Sequence, residues 1–184
     1  MTPPASARGA WTEVELHNFT GIPDGAVPGG GVTIGRDGVL YGTTENGGIY
    51  SCGGNLGCGT VFAMAPPTAP GGPWAETALC NFGQPGRAID GVDAQGTLAI
   101  GDGGVLYGTT TDGGTMGGGM VFSLAPPTSP GGAWTKTMLY CFPKPSSGAA
   151  GPSAGVVIGA SGVLYGTTYG VSETDTGTVF AVIP

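Results

Sequence analysis

An all-β fold built from β-propeller-type blades is what this sequence predicts, and three observations predict it. The hexapeptide VLYGTT occurs at residues 39–44, 105–110 and 163–168. Forty glycines and 16 prolines leave little room for helix, because each such residue inside a helix costs about 1 to 3 kcal/mol. The segments that recur around the hexapeptide are short, rich in β-branched and aromatic residues, and bounded by Gly, Pro or Asp. That is the composition of strands and their turns.

Four strands recur per unit with a period of about 60 residues, and repetition at that length is read before any single motif. Strand a is GVTIG in the first unit, with GTLAIG and GVVIG as its later copies. Tight turns, Arg36-Asp37-Gly38 and Gly101-Asp102-Gly103-Gly104, lead from a into strand b, the hexapeptide; Asp and Gly tolerate the positive φ that such hairpins need. Strand c follows as TVFAM, MVFSL and TVFAV. Two nearly identical links, APPTAPGGPW and APPTSPGGAW, run from c to strand d. Strand d starts at Trp11, Trp74 and Trp134 and ends at Phe19, Phe82 and Phe142. Four antiparallel strands repeated in this way describe the blade of a propeller.

Blade strands are therefore expected at 31–82, 96–142 and 155–182, inside a single repeat domain over 11–184, with 11–19 as a closing strand and 1–10 as a disordered N-terminal segment. Three blades fall short of the roughly 4 to 8 that close a ring. The expected remedy is a homodimer, in which the N-terminal strand of each copy completes the final blade of the other and the ring has six blades, or a higher homo-oligomer. Cyclic dimers are the commonest closed assembly. An open solenoid or irregular sandwich of the three units is the alternative.

Charge narrows the partners. Five basic and 12 acidic residues give a net charge of −7, which repels nucleic-acid phosphates and anionic lipid surfaces. No apolar run reaches the roughly 20 residues of a membrane span. Neither nucleic acid nor membrane insertion is expected. Only 9% of residues are charged, a composition commoner in secreted β proteins. The opening MTPPASARGAW has no basic n-region or apolar h-region, which leaves a chain that stays inside the cell or one whose leader lies outside this sequence; composition and cysteine placement favour the second, so the expected location is extracellular or cell-surface, with the signal peptide outside this sequence.

The pattern G-x-LYGTT-x-x-GG, then GTVF-x-L-x-P, then W-x-x-x-x-L-x-x-F, then DG-x-x-P, resembles the GloVer repeat of bacterial choice-of-anchor tandem repeat proteins, from about Trp11 to Phe180. The resemblance implies repeat architecture and an extracellular setting, and it carries no activity or substrate with it. The Asp-Gly pair before strand a stands at Asp24-Gly25 and Asp90-Gly91, whereas the third unit reads SSGAAGP there.

Function usually follows variable loops. The c-to-d links are almost constant, but the b-to-c loops differ: ENGGIYSCGGNLGCG, TDGGTMGGG and YGVSETDTG. Thr44 to Val61 spans 17 positions against 11 in the other two units, so the first unit carries an insertion. Cys52 and Cys58 sit inside it, spaced for a disulfide that closes a small loop, with free thiols or zinc as the alternatives. Zinc would need two more ligands, and His17 is the single histidine. Ligand-binding candidates are Asp24, Glu45, Asn46, Asp90, Asp112, Tyr169, Glu173 and Asp175, all assigned to the loops of one face. Their carboxylates are hard oxygen ligands of the kind calcium takes, or they solvate turns; no D-x-D-x-D-G run favours the ion, and no metal or cofactor is predicted.

Cys80 and Cys141 read as buried thiols, with a link between chains as the alternative. His17 reads as a packed strand residue, and Tyr41, Tyr107 and Tyr165 as packing between blades rather than as an aromatic platform. With one histidine and no paired acid motif, no catalytic residue is predicted. The expected role is that of a secreted, non-catalytic binding or scaffold module for carbohydrate or a surface protein; the alternative is a self-assembling extracellular structural protein.

Overall fold

The computed structural model describes residues 10–52, 56–84, 90–144, 151–170 and 176–183. Strands dominate it. The first unit contains β1 (Gly25–Ala26), β2 (Thr33–Ile34), β3 (Leu40–Thr44), β4 (Asn46–Gly47), β5 (Thr60–Ala65) and β6 (Ala75–Asn81). The second contains β7 (Gly91–Val92), β8 (Ala99–Ile100), β9 (Leu106–Thr110), β10 (Asp112–Gly113), β11 (Gly117–Ala125) and β12 (Thr135–Pro143). The third contains β13 (Val157–Ile158), β14 (Leu164–Thr168) and β15 (Thr178–Val182).

The main sheet of the first unit runs β2-β3-β5-β6, and the second unit repeats that order as β8-β9-β11-β12. The third stops at β13-β14-β15. These ladders are antiparallel, and none of the sheets closes on itself among the described residues. The link from strand a to strand b is one 3₁₀ turn in every unit, closed by 2.8 Å bonds from the N–H of Gly35, Gly101 and Gly159 to the carbonyls of Val39, Val105 and Val163. Its second residue is left-handed each time: Asp37 (φ 59°), Gly103 (φ 66°) and Ser161 (φ 58°). A bulge recurs in the outer pairing, after Val61 on β5 and after Val121 on β11.

The repeated hexapeptide has a task for nearly every letter. Leu106 and Leu164 are core residues. The Tyr41, Tyr107 and Tyr165 rings lie against Gly35, Gly101 and Gly159, where an added Cβ would come within 2.5 to 2.7 Å of the ring. Gly42, Gly108 and Gly166 take the rings of Phe62, Phe122 and Phe180 in the same way, at 2.4 to 2.6 Å from an added Cβ. Of the two threonines, the first ties one unit to the next: Thr43 Oγ1 donates to the Gly96 carbonyl at 3.1 Å, and Thr109 Oγ1 to the Ala154 carbonyl at 2.8 Å. The second pins strand b to the start of strand c, as Thr44–Thr60 and Thr168–Thr178, both 2.9 Å between hydroxyl oxygens.

The core lies between sheets rather than within one. Val61 and Phe82 of the first unit pack with Leu98, Leu106, Phe122 and Leu124 of the second, and Val121 and Phe142 of the second pack with Val156 and Leu164 of the third. Each such side chain contributes about 1.5 to 3 kcal/mol when fully buried. The phenylalanine ending each strand-d segment reaches forward to the phenylalanine of the next strand c: Phe19–Phe62, Phe82–Phe122 and Phe142–Phe180, with ring centroids 5.0, 5.3 and 5.0 Å apart. Tyr41 reaches the other way, edge-on to Trp134 at 6.2 Å, which is packing between units as the sequence suggests.

The segment Trp11–Phe19 carries one bridge residue, Thr12, and none of the described ladders includes it. His17 is therefore not a ladder residue here, although it packs edge-on against Phe19 at 4.8 Å. The expectation for residues 1–10 falls, but for Ala10, outside the described residues.

Candidate functional site

Two short pairings assemble one end of the molecule. β1 pairs with β4, placing Gly25 opposite Gly47 and Ala26 opposite Asn46. β7 pairs with β10, placing Asp112 opposite Val92 and Gly113 opposite Gly91. The Asp-Gly segments before strand a are thus brought beside the variable loops after strand b, and Asp24 with Asn46, and Asp90 with Asp112, share one loop-bearing end.

Asp24 holds its own loop closed. Its Oδ2 accepts from the Thr20 N–H at 3.0 Å, the Thr20 hydroxyl at 3.2 Å and His17 Nε2 at 3.2 Å, and its Oδ1 accepts from the Gly25 N–H at 2.7 Å. Burial alone would push this carboxyl up, but the hydrogen bonds from Gly25, Thr20 and His17, with the imidazole's charge, bring it below the usual carboxylate range. Glu76 on β6 moves the opposite way: burial raises it and the charge of Asp24 raises it further, with His17 opposing.

Asp90 occupies the same place one unit on. Its Oδ2 accepts from the Gln84 N–H at 2.9 Å, and its Oδ1 pairs with the Lys136 ammonium. Lys136 also lies 4.4 Å above the Phe82 ring centroid, a cation–π placement in a mostly buried setting. Glu76 and Lys136 hold corresponding positions on β6 and β12, paired with Met64 and Leu124 respectively. Successive junctions therefore carry opposite charge. Beside them Cys80 is a half-buried thiol pushed up by burial, with the Lys136 charge acting against that, and Cys141 is a buried thiol; neither is in a disulfide.

A further carboxylate, missed by the sequence reading, sits between the first two units. Asp93 is left-handed (φ 59°), donates its main-chain N–H to the Cys58 carbonyl at 3.3 Å, and its main-chain carbonyl accepts from the Thr111 N–H and hydroxyl, both at 3.1 Å. Burial raises its pKa, and the charges of Asp112 and Glu45 raise it further. The available signal was Asp-Gly-x-Asp at 90–93, aligned with Asp-Gly-x-Val at 24–27, where Val27 is left-handed as well (φ 56°). Lys136 gave no such signal, because its counterparts Glu13 and Glu76 are acidic.

The insertion of the first unit is pinned at several points. Cys52 and Cys58 are joined as a disulfide with Cα atoms 5.2 Å apart. Gly47 donates to the Leu56 carbonyl at 2.7 Å and accepts from Cys58 at 3.0 Å and Gly59 at 3.1 Å. Asn81 Oδ1 accepts the Ile49 N–H at 3.0 Å. The loops after strand b expose large side chains in every unit: Ile49 and Leu56, then Met116, then Tyr169. Glu173 and Asp175 lie outside the described residues. Among the described residues no three His, Cys, Asp or Glu side chains converge as a metal site requires, and no helix is long and apolar enough to cross a membrane.

The family model of the Gloeobacter/Verrucomicrobia repeat matches residues 6–184. The chain belongs to this GloVer repeat family. No curated protein matches it. Membership accords with the three GloVer-type hexapeptides and their common packing, and it assigns no chemistry to Asp24, Asp90 or the disulfide loop.

Proposed function

We propose that this GloVer protein is a secreted, non-catalytic binding or scaffold module, and that its ligand-contacting surface is the loop-bearing end. The observation that carries this reading is the placement of Ile49, Leu56, Met116 and Tyr169: each exposed in a loop after strand b, with Leu56 inside the loop closed by the Cys52–Cys58 disulfide and Ile49 held by Asn81 just before it. A loop ordered in advance loses less entropy on binding, and exposed apolar groups rimmed by polar ones mark interaction surfaces. Glu45, Asn46 and Asp112 supply polar contacts beside them. Carbohydrate or a surface protein suits such a mixed rim. The disulfide supports an oxidising, extracellular setting.

A glycan array and a panel of purified surface proteins, probed with the full chain, test the proposal. The expected result is a retained ligand that is lost in Ile49→Ser/Leu56→Ser and kept in Pro67→Ala, a change in the constant link. Retention of nothing, or binding indifferent to the loop change, would overturn it. A self-assembling structural protein is the second reading, favoured by the outer edge of β15, which has no partner among the described residues.

A further inference from the structure

Three corresponding positions separate the ends of the molecule from its middle. Val61 and Val121 are 0% exposed, yet their counterpart Val179 is 81% exposed. Leu98 and Val156 are 2% and 4% exposed, yet their counterpart Val32 is 53% exposed. Thr43 and Thr109 are buried where they tie one unit to the next, and Thr167 is exposed. The bare residues of the third unit are those that elsewhere receive the following unit and an outer strand. The bare residue of the first unit is the one that elsewhere packs on the preceding unit. The two flanks are complementary halves of a junction that the molecule already forms twice.

The missing outer strand is also present in the chain. Aligned on their tryptophans, Trp11–Phe19 matches Trp74–Phe82 and Trp134–Phe142, and Phe19 already packs on Phe62 as Phe82 packs on Phe122. That contact holds the segment at the free flank of the first unit, across the row of sheets from β15. An apolar groove of about 480 Å³, lined by Leu139, Phe142, Phe180, Val182 and Ile183, follows β15.

We infer that a second copy of this chain fills the flank: Trp11–Phe19 of one copy adds antiparallel to β15 of the other, and the first unit of that copy packs on the third unit of this one. The register follows from the two ladders between strands c and d that the chain already contains, Val61↔Cys80 and Met64↔Glu76 in the first unit, Val121↔Tyr140 and Leu124↔Lys136 in the second. His17 falls opposite Val179, Glu13 opposite Val182, and Leu16 at the bulge. The Thr167 hydroxyl meets the Gly30 carbonyl, as Thr43 meets Gly96 and Thr109 meets Ala154. Trp11, exposed in the single copy, seats against Tyr107 as Trp134 does against Tyr41. Two copies make six units, the one multiple of three within the range of about 4 to 8 blades of closed rings.

Light scattering on three full-length forms tests the inference: wild type, a tail variant Val179→Lys, and a head variant Trp11→Ala/Leu16→Lys. These positions are exposed in the single copy, so the variants keep the single-copy fold, checked by a cooperative thermal transition and a β-type circular dichroism spectrum. Wild type is expected at twice the chain mass, with or without reductant. Each variant alone is expected at the single-chain mass, because both of its junctions carry an altered end, and their equimolar mixture returns to the doubled mass, because one junction of the mixed pair joins an unaltered head to an unaltered tail. A wild type at single-chain mass would overturn the proposal and give the flank to another occupant. Growth beyond two copies would overturn the closed ring, and a mixture that stays at single-chain mass would overturn the head-to-tail pairing. Loss of ligand by the loop variant leaves this mass reading unchanged.

Discussion

The second and third units share sequence pattern, turn geometry and the packing of the hexapeptide's tyrosine and glycine, yet their strands c differ sharply: β11 is buried along most of its length and β15 is mostly exposed or half-buried. β11 has a neighbour on both edges, β9 and β12, while β15 pairs with β14 alone among the described residues. Local sequence thus builds the sheet, and position in the row decides how much of it becomes core. The same side chain is structural in one unit and an exposed contact surface in the next.

Core truncation should show the contrast most strongly. Phe122→Ala is expected to cost about 3 to 5 kcal/mol, the usual loss for a fully buried ring, and Phe180→Ala less than half of that in dilute solution, as measured by urea unfolding. Equal losses would break the comparison. A close-packed glycine comes next: Gly108→Ala places a Cβ within 2.6 Å of Phe122 and 2.7 Å of Leu98, and should cost about 1 to 3 kcal/mol by overpacking. Gly166→Ala meets only Phe180 among the nearest atoms, a ring with room to move, so its thermal midpoint should fall less. Smaller again is Thr109→Val, which leaves the Ala154 carbonyl without its donor and should cost about 0.5 to 1.5 kcal/mol; Thr167→Val should be close to neutral in the single copy.

The smallest effects concern pH and carry opposite signs. Asp24 has a lowered pKa, so its stabilisation is present above the ordinary carboxyl range and is lost as pH falls through its folded value. Asp93 has a raised pKa, so its charge opposes folding at neutral pH, and the folded state gains as pH falls through that raised value. Asp24→Asn should therefore flatten the acid limb of a stability-versus-pH curve, while Asp93→Asn should lift stability at neutral pH. The reverse order would mean that the hydrogen bonds around Asp24 do not hold in solution.

Much of the fold was legible because the repeat states it three times. Strand order, the turns at Asp37 and Gly103, and the packing role of Tyr41 follow from turn chemistry and spacing. The Cys52–Cys58 disulfide was legible from loop length. Less could be read at the junctions. The cation over Phe82 and the carboxylate group around Asp93 depend on which positions of neighbouring sheets meet, and a one-dimensional pattern does not record that. Tryptophan alignment predicted a strand at Trp11–Phe19, but a strand needs a neighbour, and its counterparts find theirs in the strand c that precedes them. The candidate site was legible as a set of loops, and the exposed Ile49 and Leu56 emerged only once the insertion had a shape.

Amide hydrogen exchange, read separately for β11 and β15 at low and high protein concentration, tests the central claim most directly. The account predicts that β11 is protected at both concentrations, and that those amides of Val179–Val182 that point away from β14 exchange fast when dilute and slowly when concentrated. Concentration-independent exchange at those amides, fast or slow, would contradict it.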